Sequence, residues 1–337
     1  MDPGWRDHER RLVLPLTVGI DDGTALSKPR FEDETVRNFL FDSVEGQHAA
    51  FKRWGLPISR VLILYNACGF ECFFCASEGT SFREDSRRTP WSRIETHLSL
   101  AQPEEAGRLI IAGNEPVLHP DFERILERAR TQGFTDIHLM TSGTWLSDTT
   151  RLDRWVSAGL RSIAVPIYAV TSALHDEIVG AEAHTQLVEA LDLARSRGVD
   201  IHLHTLALRR TLHELLPLAE LARDRWASLL SVAPLREKEG QFDWVAESIP
   251  LAEVDDFMRA LPEEAPIRLV GFPACVGRGW PRGAAACTSV YFMAQGRTFA
   301  DVCRGCVDKP DCLGVVQAYT HHFGEEGLTP RLSSPQP

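Results

Sequence analysis

No run of eighteen apolar residues occurs in this chain, so no segment is long enough to cross a bilayer as a helix. The opening stretch, "MDPGWRDHERRLVLPLTVG", carries charges on both sides of a short apolar run and lacks a small-residue cleavage site, unlike a secretory signal. The expectation is a soluble, cytoplasmic protein with no membrane partner. Positive charge is in deficit: 36 Lys and Arg stand against 47 Asp and Glu, a formal net charge of −11. Nucleic-acid backbones are held by clustered Lys and Arg, so no nucleic-acid partner is expected. Without an export signal disulfides would not persist, and the eight cysteines point instead to metal ligation in a reducing compartment.

At 337 residues, 44% of them hydrophobic, the chain can bury one large domain with a small appendage. From about residue 60 to 235, short β-rich runs alternate with helical patterns, as in repeated βα units. Strands are expected at 60–65, 108–111, 136–140, 162–167, 200–206 and 229–233. Between them Phe122, Ile125, Leu126 and Ala129 share a helical face that Gly133 ends, and Leu187, Leu191 and Ala194 repeat the pattern before Gly198. The fold class is therefore α/β, and the expected parts are four. Residues 1–58 form an N-terminal extension of hairpin plus helix, 59–236 the repeated βα units, 237–325 a cysteine-rich extension with a helix near 251–261, and 326–337 a disordered tail.

Cys68, Cys72 and Cys75 stand at C-x3-C-x2-C in "YNACGFECFFCAS", at the end of the first expected strand. Three thiolates on one loop can each bind one iron of a cubane [4Fe–4S] cluster, leaving the fourth iron open to a small molecule. Structural zinc is the alternative, but it closes its fourth position, and no fourth ligand stands nearby. A second group follows later: Cys275, Cys287, Cys303, Cys306 and Cys312, with "CRGCVDKPDC" giving C-x2-C-x5-C. Four of these thiolates could close another cubane or a zinc site; the spacing is natural to both.

The first triplet, with Phe74 at its aromatic position, resembles the C-x3-C-x-Φ-C signature of the radical S-adenosylmethionine (SAM) superfamily. The resemblance implies a partial (β/α)6 TIM-like barrel whose mouth, at the C-terminal strand ends, carries the site. It also implies that the open iron holds the amino and carboxylate groups of SAM. The reduced cluster then splits a carbon–sulfur bond and releases a 5′-deoxyadenosyl radical that takes a substrate hydrogen. Gly113, Asn114, Glu115 and Pro116 resemble the family's "GGEP" motif, which contacts the methionyl amine, with Asn114 in place of the second glycine. Ser142, Thr205 and Arg209 fall at later strand ends and complete the expected cofactor contacts.

Other residues keep two readings each. His202 and His204 share one strand face, either as a substrate proton shuttle or as ordinarily hydrogen-bonded histidines. Arg209 and Arg210 meet a carboxylate or are solvated, and Tyr168 reaches the substrate or packs in the core. The later cysteines resemble the SPASM and twitch auxiliary-cluster extensions. Cys275, Cys303, Cys306 and Cys312 are then the ligands of a second [4Fe–4S] cluster, with Cys287 the runner-up. Val316 stands where the full SPASM pattern continues with cysteine, so one auxiliary cluster is expected rather than two.

The function so implied is that of a radical SAM enzyme, of oxidoreductase or cross-linking type, modifying a ribosomally made peptide in natural-product biosynthesis. A small-molecule dehydrogenase or carbon–carbon bond-forming enzyme for an amino acid or sugar is the alternative, and a non-catalytic iron–sulfur or zinc protein the second. A reducing partner such as flavodoxin or ferredoxin is expected.

Overall fold

Strand β1 (Ser59–Leu64) opens a seven-stranded, wholly parallel sheet. The computed structural model describes residues 59–64, 68–75, 88–99, 107–237, 242–281, 297–309, 312 and 314–332. The strands after β1 are β2 (Arg108–Gly113), β3 (Asp136–Met140), β4 (Leu160–Pro166), β5 (Asp200–Ala207), β6 (Leu230–Pro234) and β7 (Ile267–Leu269), neighbours in chain order throughout. Parallel neighbours need a crossover, supplied by α1 (Trp91–Ser99), α2 (Phe122–Gln132), α3 (Thr149–Ser157), α4 (Ser172–Val179), α5 (His184–Ser196) and α6 (Leu215–Arg225). Short α7 (Trp244–Glu247) and α8 (Leu251–Ala260) precede β7. Among the described residues β1 and β7 are the two edges, so the barrel is open.

Side chains alternate between two faces of each strand. Leu62, Leu109, Ile111, Leu139, Ile163, Leu203 and Val232 pack with the helices into the main core. Each fully buried aliphatic side chain there stabilises by about 1.5–3 kcal/mol. In α2 the buried residues are Phe122, Ile125, Leu126 and Ala129, the stripe read from the sequence. Gly133 ends that helix at φ 108°, its N–H donating to the Arg130 carbonyl. The opposite sheet face carries Val61, Ile63, Ile110 and Met140 on one side and His138, Ser162, His202, His204, Ser231 and Arg268 on the other.

Two expectations change. β7 lies beyond the expected limit of the repeated units at 236 and belongs to the same sheet; its three residues are too few to display periodicity. The tail expected to be disordered from 326 is docked through Leu332. Val307 N–H donates to the Arg331 carbonyl, the Arg331 side chain pairs with Asp308, and Cys306 and Leu332 form an antiparallel bridge. A two-stranded antiparallel pair, β8 (Arg297–Thr298) and β9 (Val315–Val316), followed by α9 (Gln317–His322), organises the cysteine-rich extension. The hairpin and helix expected within residues 1–58 lie outside the described residues.

Candidate active site

The C-terminal ends of β1, β2 and β3 meet at one corner. Gly113 ends β2 at φ 138°, and a Cβ there would lie 1.9 Å from the carbonyl oxygen of Leu64, the last residue of β1. Only glycine permits that approach. The chain then turns so that Glu115 becomes completely buried. Its Oε1 accepts from Thr141 Oγ1 and its Oε2 from Ser142 N–H, each at 2.7 Å. Thr141 Oγ1 in turn accepts from Gly143 N–H at 3.2 Å, which aims the hydroxyl proton at the carboxylate. Burial outweighs these donors and raises the Glu115 pKa above the ordinary carboxylate range.

The cysteine loop lies against this corner. Burial pushes the Cys68 thiol up to about 11, and the nearby charges of Glu115 and Cys75 add to the shift. Cys72 rises to about 12, again from burial, with Cys75 and Cys68 contributing. Thiols so placed stay protonated at neutral pH unless a cation sits among them, and a cubane bound through thiolates supplies one. No three His, Cys, Asp or Glu among the described residues converge on a single-ion site. A cubane does not require that convergence, because each thiolate takes a different iron. The donor set therefore fits a [4Fe–4S] cluster.

The loop is anchored on three sides. Glu71 N–H donates to the Val179 carbonyl at 2.9 Å, joining it to the end of α4. Phe74 packs edge-on against Phe73 and Tyr168, with centroids 5.1 and 5.2 Å away, and Phe73 likewise meets Phe242 at 5.2 Å. The Arg210 guanidinium lies 5.0 Å over the Phe73 ring and pairs with Glu177 of α4 and Glu247 of α7. Tyr168, buried, feels all three loop cysteines.

Several sequence-nominated residues stand elsewhere. Thr205 shares the β5 face of Leu203 and Ala207, packed toward the helices and away from His202 and His204, and its buried Oγ1 has no partner. Arg209 forms a two-point ion pair with Glu253 of α8 and donates through Nε to the Ser248 carbonyl at 3.3 Å. Ser142, by contrast, stands in the corner itself and meets Glu115 through both its backbone N–H and its side chain. His204, pushed down to about 4 by burial, and His202 do share a face, and His202 lies 5.5 Å from His138. Asn114 is half-buried, and Cys287 lies outside the described residues. Thr141 escaped the sequence reading although it stands immediately before Ser142; Arg210, weighed there only for a carboxylate of SAM or substrate or as solvated, clamps the loop.

Four C-terminal cysteines gather around the short β8–β9 unit. The Cys303 thiol, raised by burial, also feels Cys275, Cys312 and Cys306, and Cys275 feels Cys312. Ala274 N–H and Gly314 N–H both donate to Cys312 Sγ, at 3.2 and 3.3 Å. Buried Arg297 lies near the same sulfur and donates to the Gly314 carbonyl at 3.0 Å.

Comparison with known proteins agrees with this geometry. The family model described as Radical SAM superfamily matches residues 62–222. A protein of Saccharolobus islandicus named as a probable GTP 3',8-cyclase is 28% identical over 176 residues, 51% of this chain and 55% of that protein. One of Thermoplasma volcanium with the same name is 25% identical over 207 residues, 60% of this chain and 62% of that protein. The chain thus spans little more than half the length of these curated relatives. The crystal structure of Streptococcus suis SuiB bound to S-adenosylmethionine shares the fold at TM-score 0.50 and 16% identity, over 67% of this chain and 54% of that one. A radical SAM fold implies SAM and one [4Fe–4S] cluster as cofactors. With an open parallel barrel, the cysteine triplet and Glu115 at adjoining strand ends, residues 62–222 of this chain match the radical SAM superfamily.

Proposed function

We propose that the protein reductively cleaves SAM and uses the radical to remove hydrogen from a ribosomally made peptide. The observation that carries the first part is the buried Glu115 carboxylate set beside Cys68. When bound, the cluster would supply the electron that splits the sulfonium. The chain's own residues do the rest. Cys68, Cys72 and Cys75 would hold three irons, and Glu115, fixed by Thr141 and Ser142, would receive the methionyl ammonium. A cation at that point relieves the burial that otherwise favours the protonated acid. Phe73, Phe74 and Tyr168 wall the loop with apolar surface and so keep water from the radical.

Cys275, Cys303, Cys306 and Cys312 would hold a second cluster, to which the substrate radical passes an electron. The two N–H donors on Cys312 and the nearby Arg297 support that reading, since both compensate thiolate charge. The peptide reading draws on the resemblance of this tail to auxiliary-cluster extensions. The curated relatives favour a second reading, in which the substrate is a small molecule such as a nucleotide.

Anaerobically reconstituted and reduced protein should convert SAM to 5′-deoxyadenosine, and Cys72→Ala should abolish the conversion. A fully loaded protein that leaves SAM intact would end the proposal.

A further inference from the structure

A cleft lies between the barrel rim and the C-terminal extension. It begins at strand ends, with Ala207 of β5 and Pro234 of β6, the rim where a barrel presents its site. Its walls are mostly apolar: Trp244, Val254 and Phe272 from the segment before and after β7, and Val315 and Tyr319 from the extension. Phe242, two residues before Trp244 in the chain, packs on Phe73 of the cysteine loop. Arg297 lines the cleft and lies near Cys312.

The polar groups of the wall are nearly all engaged. Tyr319 OH accepts from Leu251 N–H and donates to the Glu326 carbonyl, each at 2.8 Å, and Trp244 Nε1 donates to the Leu235 carbonyl at 3.3 Å. Ser248 differs. It is 4% exposed, it lines the cleft, and its Oγ has no hydrogen-bond partner. A buried hydroxyl in that state costs about 1–3 kcal/mol, which an incoming donor or acceptor would recover. The backbone of Ser248 is held by Arg209, which gives that arginine a positioning role.

We infer that this cleft is a substrate subsite for one large, uncharged apolar side chain of a peptide, with Ser248 Oγ hydrogen-bonded to the adjoining peptide group. The inference rests on the peptide reading above. An apolar wall selects by burial of a side chain, at about 25 cal/mol per Å², while a lone hydroxyl, with Arg297 bonded to the Gly314 carbonyl, suits an amide better than a phosphate.

The test uses the full chain, reconstituted anaerobically and labelled with 5-fluorotryptophan, the Trp244 ¹⁹F resonance being assigned by its loss in Trp244→Phe. N-acetyl-L-leucinamide and N-acetyl-L-phenylalaninamide should shift that resonance saturably, and N-acetylglycinamide should not. Ser248→Ala should weaken binding about fivefold, one hydrogen bond's worth, and Val254→Trp, which fills the cleft, at least about tenfold. Absence of any shift, an equal shift by the glycine amide, or a shift by GTP alone would overturn the inference. SAM cleavage without peptide is measured on the same sample. If it is present while the amides fail, the subsite is wrong and the radical SAM reading stands; if it is absent while the amides bind, the reverse holds.

Discussion

Glu115 Oε1 accepts a 2.7 Å hydrogen bond from Thr141 Oγ1, which ties the loop after β2 to the end of β3 inside a fully buried corner. Thr141→Val removes one of the donors to the buried carboxylate, which also accepts from Ser142 and from the Val117 backbone. Urea unfolding should report a loss of about 1–3 kcal/mol, and calorimetry under nitrogen should find weaker SAM binding. Unchanged stability would mean that the Ser142 and Val117 donors suffice.

Glu115 also sets a pH dependence. Its folded pKa is raised by burial, so its contribution is fully present below the ordinary carboxylate pKa and is lost as pH rises through the folded value. Over that window the parent should lose unfolding free energy that Glu115→Gln retains, while the variant binds SAM more weakly at every pH. Parallel stability curves for the two proteins would contradict this.

Three histidines, His175 buried and His97 and His204 partly buried, act in the opposite direction. Burial holds His97, His175 and His204 down near about 4. Each contributes stability that is present above about 6.5 and is lost as pH falls toward its folded value, because the unfolded chain takes up the proton first. The urea midpoint should drop across that interval, and His204→Gln should make the drop shallower.

Gly113→Ala would put a methyl group 1.9 Å from the Leu64 carbonyl oxygen at a φ of 138°. At least about 3 kcal/mol should be lost, or soluble protein altogether. A variant with the parent's thermal midpoint would show that β1 and β2 can separate at the mouth.

Arg210 clamps the cysteine loop by stacking on Phe73 while paired with Glu177 and Glu247. Arg210→Ala should change stability by only about 1 kcal/mol, because these contacts are partly exposed. Iron should nevertheless be lost to a chelator severalfold faster. In the tail, changing Cys275, Cys303, Cys306 and Cys312 together to Ala should lower iron from about eight to about four per chain; iron that stays at the higher level would remove the second cluster.

The βα rhythm, the stripe of α2 and the two cysteine groups were legible because each is a local pattern: a period, a spacing, a glycine after a helix. β7 was not, since three residues contain too little of a period to read. The face that Thr205 shares was not legible either, because one step along a strand reverses the face, and only pairing with β4 and β6 fixes which face looks inward. Arg209 and Arg210 look equivalent in sequence. Their partners, Glu253 for one and Glu177, Glu247 and the Phe73 ring for the other, come from elements 33 to 44 residues away or more.

The sequence by itself determined the family and the chemistry available, because thiolate spacing on one loop and a carboxylate at the next strand end are fixed by covalent chain length. Tertiary structure alone decided how buried Glu115 is, which hydroxyl holds it, and that an apolar cleft with one unsatisfied serine opens between the barrel and its extension. Burial and partnering arise from packing among distant segments, and no local pattern encodes them.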